Sequence, residues 1–105
     1  MRQFLAALLL APLACAAQPL ADARQLAADQ GCYNCHGEPP RRYVPSFREI
    51  VARYATYRGR LDGKAEQALV DRLHHGSLFS HVAAHERLTE EQARALVRWL
   101  VEGAP

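Results

Sequence analysis

A chain of 105 residues can hold one domain with one modest core, which excludes separate substrate and cofactor domains. Its formal net charge of +2 carries no argument for nucleic-acid binding. The charge is uneven, with Arg41, Arg42, Arg48, Arg53, Arg58, Arg60 and Lys64 against Glu49 and Asp62; this stretch reads as a solvated surface or a docking face for an acidic partner.

In chain order, Met1-Arg2-Gln3 gives a positive start, residues 4–13 an apolar run too short to span a bilayer, and Ala14 and Ala16 small residues at its end. This pattern predicts a secretory signal over residues 1–17, cleaved after Ala16 or Ala17, and a single exported domain over 18–105 without a transmembrane segment. Lipid attachment at Cys15 is the alternative, although Pro12 and Leu13 occupy positions where lipoprotein signals carry an aliphatic and a small residue. Cleavage removes Cys15 and leaves Cys32 and Cys35, so no disulfide framework is available.

Residues 21–30 are rich in Ala, Leu, Arg and Gln and predict a helix that Gly31 stops. Residues 38–45 contain three prolines and are expected to form a loop. Ser46 with Glu49 is a capping box, after which Phe47, Ile50, Val51 and Tyr54 fall on one face of a second helix ending near Gly59. Arg60-Leu61-Asp62-Gly63 reads as a turn. A third helix is expected over 65–75, with Leu69, Val70 and Leu73 inward and Gly76 as its stop. Residues 77–88 show no clear period. Thr89 with Gln92 opens the last helix, in which Ala93, Leu96, Val97 and Leu100 form an apolar stripe ended by Gly103. No segment alternates as a strand does, so the expected fold is all-α with about four helices.

Cys32-Tyr33-Asn34-Cys35-His36 is the chemically specific motif. C-x-x-C-H spaces two thiols to add across the two vinyl groups of one haem and places an imidazole to ligate the iron. A thioredoxin-like redox pair would need a βαβ setting, and a structural zinc site a second ligand pair at the usual spacing. An exported chain whose remaining cysteines both lie in this motif points to covalent haem c. A large apolar cofactor would also fill an otherwise thin core.

Residues 26–36, Leu-Ala-Ala-Asp-Gln-Gly-Cys-Tyr-Asn-Cys-His, resemble the opening of a small bacterial class I cytochrome c. Val44-Pro45-Ser46-Phe47-Arg48-Glu49-Ile50 is similar to the segment that follows the haem motif in that family, and residues 89–100 to its C-terminal helix. The resemblance implies a helical bundle around one haem, with the Pro45 carbonyl accepting a hydrogen bond from the proximal ligand His36. It also implies a crossing of the first and last helices near Gly31 and Trp99. Read from the residues alone, Trp99 is a core or surface aromatic, and Tyr43, Tyr54 and Tyr57 are packing residues.

The chain departs from that family at the sixth iron position, where a methionine is usual. Its one methionine is Met1, inside the expected signal. Aligning back from Thr89 puts the family's methionine near Val82, so His81 is the first candidate for the distal ligand and His85 the second. His74 and His75 are read as capping a helix end. Two functions follow. With histidine on both faces, the protein is a one-electron carrier serving redox partner proteins in the periplasm, and not itself an enzyme. With an open distal site, it binds a diatomic gas or has peroxidase-like activity. The carrier is preferred, because residues 77–88 offer no organised set of catalytic groups.

Overall fold

The structure is a computed structural model that describes residues 19–76 and 81–105. The expected signal, residues 1–17, lies outside the described residues. The fold is all-α, with no strand among the described residues. Among the described residues six α-helices follow in order: α1 (Pro19–Asp29), α2 (Tyr33–His36), α3 (Phe47–Tyr54), α4 (Gly63–His75), α5 (Ala83–Glu86) and α6 (Glu90–Val101). A short 3₁₀ turn at Ala55–Tyr57 extends α3. The four longer helices are those the sequence predicts. α2 and α5 are additional, and each is a single turn.

Local chemistry sets the helix ends. Both expected capping boxes form: Glu49 N–H donates to Ser46 Oγ and Ser46 N–H to Glu49 Oε2, and Gln92 and Thr89 repeat the exchange. Each satisfies two amide donors that a helix start leaves without partners. α4 begins earlier than expected because Asp62 accepts the Ala65 N–H at 2.8 Å. Asp62 is therefore an N-cap, and Gly63 belongs to the helix rather than to a turn.

Gly31 does more than stop α1. Its φ of 73° lets its own N–H reach the Ala28 carbonyl and the Cys32 N–H reach Ala27, a Schellman closure that turns the chain straight into α2.

α6 is the centre of the packing, with α1, α3 and α4 laid against it. It buries Ala93, Leu96, Val97 and Leu100, the expected stripe, together with Trp99 and Val101. Ala23 and Ala27 of α1 are fully buried, and their small side chains permit close approach of α1 and α6. From α4, Leu69 and Val70 are buried and Leu73 half-buried. Between α4 and α6, the Glu66 carboxylate is 8% exposed and is held by Arg94 Nη1 and Arg98 Nε, each at 2.8 Å. Those guanidiniums hold the Glu66 carboxyl below its usual range despite the opposing effect of burial.

α3 packs less completely. Its inward residues Phe47, Ile50, Val51 and Tyr54 touch the core cluster but remain half-buried. Tyr43 does not pack as expected: it is 90% exposed. It sits in the loop between Pro40 and Pro45, in a turn closed by Val44 N–H to the Arg41 carbonyl, and its ring carries the Arg42 guanidinium 4.8 Å from its centroid. No helix among the described residues is long and apolar enough to cross a membrane.

Candidate functional site

The site starts at the end of α1. The Schellman turn delivers Cys32 to the start of α2, whose single turn brings residues three and four apart onto one face. Cys32 and Cys35 therefore share a side, and His36 follows at the fourth position from Cys32, its N–H bonded to the Cys32 carbonyl at 2.9 Å. Both thiols are free and half-buried. Burial pushes the Cys32 thiol up, and the adjacent Cys35 adds to this. Reactive thiol pairs need the opposite shift, toward thiolate.

His36 is fixed from two directions. Its Nδ1 donates to the Pro45 carbonyl at 2.6 Å, the hydrogen bond that the family resemblance implies. Its ring also lies against Phe47, centroids 5.3 Å apart and planes 26° from parallel. Phe47 is in turn met edge-on by Tyr33 at 5.0 Å and by Trp99 at 5.4 Å. The imidazole orientation is thus tied through Phe47 to the centre of the core. A cleft of ≈ 370 Å³ lined in part by Tyr33, His36, Phe47 and Val51 opens beside α2.

The structure brings His85 to this histidine. The two rings lie 6.0 Å apart, centroid to centroid, with planes 13° from parallel. Burial pushes His85 below the ordinary histidine range, and His36 acts in the same direction, which favours the neutral imidazole that can serve as a ligand. His81 lies elsewhere: its side chain is 71% exposed and its Nδ1 is 3.2 Å from Glu86 Oε1. The reason is α5. Val82 is the extended residue that precedes this helix; Ala84 and His85 are half-buried while Ala83 and Glu86 face outward.

His74 does not cap its own helix. Its Nε2 donates to the Leu88 carbonyl at 2.9 Å, while the C-terminal bond of α4 is made by the Gly76 N–H to the Arg72 carbonyl. The sequence reading missed this contact, along with the Glu66 ion pairs and the central place of Phe47. Partners separated by 14 to 32 residues leave no local pattern.

Comparison of the chain with protein-family models, curated proteins and solved structures finds no match. The donor set of this structure can still be tested directly against the group its motif implies. Two imidazoles bonded to one small metal ion, with metal–nitrogen bonds of about 2 Å, have centroids on the order of 6 Å apart, and His36 and His85 meet that separation. The thiols sit on the same turn as His36, and the half-buried Ile50, Tyr54 and Leu73 provide apolar surface that the protein core leaves partly uncovered. Two thiols and two imidazoles are the donor types that a c-type haem takes.

Proposed function

We propose that this chain is an exported monohaem protein of the c type that passes single electrons between redox partner proteins in the periplasm. Cys32 and Cys35 would hold haem c covalently, and His36 and His85, rather than His81, would ligate its iron. The observation that carries the reading is the approach of the His36 and His85 rings to 6.0 Å beside two free thiols. The iron, when bound, supplies one-electron chemistry at a potential lower than methionine ligation would give.

The chain's own residues orient and shield that chemistry. The Pro45 carbonyl accepts a hydrogen bond from His36 Nδ1–H, which fixes the tautomer, directs Nε2 outward and raises its basicity as a ligand. Phe47 restrains rotation of the same ring. Ile50, Tyr54 and Leu73, half-buried against the core, would give the haem apolar surface to cover. In this reading both histidines are used as ligands, which favours a carrier over an enzyme.

Purified protein should show the spectrum of covalent, low-spin haem in both oxidation states, and the double change Cys32→Ala, Cys35→Ala should let haem leave on acid-organic extraction. Export is checked by N-terminal sequencing of periplasmic protein, which should start at Ala17 or Gln18. Wild-type protein recovered from a cytochrome c-maturing host without haem would overturn the reading.

A further inference from the structure

α5 is too short to hold its own position. None of its four side chains is fully buried, and its N-cap Val82 provides no side-chain hydrogen bond, whereas a helix of this length is unstable without tertiary anchors. The segment that would present His85 must therefore be held from outside.

The structure offers a specific anchor. Leu88 is 6% exposed, its N–H donates to the His85 carbonyl at 3.2 Å, and its own carbonyl accepts from His74 Nε2 at 2.9 Å. A carbonyl accepts only, so the ring nitrogen is the donor. His74 is rigidly based: its side chain is 14% exposed, it lies in the last turn of α4, and α4 itself is packed on α6. A continuous chain of contacts thus runs from α4 through His74 and Leu88 to the backbone of His85.

We propose that His74 is a positioning residue that holds His85 at the haem iron; this rests on the reading of His85 as a ligand. Without the His74 donor, α5 moves away more often, and the iron's sixth position opens to external ligands. Losing a hydrogen bond of ordinary net strength raises the open population about fivefold, and carbon monoxide association, which samples that population, rises with it.

The test uses the haem-loaded protein. His74→Phe keeps an aromatic ring but removes the donor, and His74→Gln restores one. Expected are carbon monoxide association about fivefold faster in His74→Phe with a measurable high-spin fraction, unchanged far-ultraviolet circular dichroism, and a return toward wild-type rates in His74→Gln. If His74→Phe does not accumulate with haem attached, His74→Leu takes its place in the same comparison. A donor-free variant with wild-type association and spectrum overturns the inference. His85→Ala, measured alongside, separates the two readings: if that variant stays low-spin, ligation by His85 fails and the role of His74 fails with it. If it becomes high-spin, the His74 variants alone decide.

Discussion

His36 Nδ1 and the Pro45 carbonyl lie 2.6 Å apart, joining the C-terminal end of α2 to the residue just before the capping box of α3. The functional atom at Pro45 is a main-chain oxygen, so the side chain can change without removing it. Pro45→Ala should retain covalent haem and low-spin ligation while lowering stability by about 1 kcal/mol through a more flexible unfolded chain. Chemical denaturation followed by circular dichroism and by the haem band measures both. A change of spin state in this variant would show that the ring of Pro45, and not its carbonyl, holds His36.

His85→Ala should convert low-spin protein to high-spin and let carbon monoxide bind readily, because the ring lost is the one 6.0 Å from His36. His81→Ala should leave the spectrum unchanged, since that side chain is 71% exposed. Optical and electron paramagnetic resonance spectra of the two variants decide between them. The reverse pattern would move ligation to His81, and a high-spin wild type would favour an open site for a diatomic gas or peroxide.

The parts legible in the sequence are those written in neighbouring residues. Ser46 with Glu49, Thr89 with Gln92, and the stripe from Ala93 to Leu100 each lie within a few turns of chain, and they form as read. The spacing of Cys32, Cys35 and His36 is local too, and one turn of helix puts it on a single face. The approach of His85, rather than His81, to His36 is not a local feature. It depends on α5, whose four residues are too few to display a period, and an alignment counted back from Thr89 passes through that helix without registering its turn. The exposure of Tyr43 is not legible for a related reason: an aromatic between prolines gives no indication of which way its turn faces. The anchoring of Leu88 by His74 and the holding of Glu66 by Arg94 and Arg98 arise only when helices distant in sequence meet.

Gly31→Ala should destabilise the protein by about 1 to 2 kcal/mol, because an added Cβ is strained at φ 73° and would lie 3.0 Å from Asn34 Nδ2. Thermal unfolding of the haem-loaded variant measures the loss. The Schellman turn also aims Cys32, so the yield of covalently attached haem should fall as well. Full stability in this variant would mean that the turn has an alternative closure.

Glu66 is expected to make the helix core sensitive to acid. Its carboxyl is held below the ordinary range chiefly by its hydrogen bond to Arg98, with Arg94 adding to the effect and burial opposing it. The folded pKa therefore lies below the unfolded one, and in acid the unfolded chain takes up the proton first. The resulting stabilisation is fully present above the unfolded value and is lost progressively as the pH falls through the folded value. Glu66→Gln keeps the shape but removes the charge, leaving Arg94 and Arg98 without their carboxylate; at neutral pH it should cost about 2 kcal/mol. Its denaturation midpoint should then vary less between neutral and acid pH than that of the wild type, so the two curves converge as the pH falls. Urea titrations across that interval measure both quantities. Parallel curves would show that the interaction of Glu66 with Arg94 and Arg98 contributes nothing to the pH dependence.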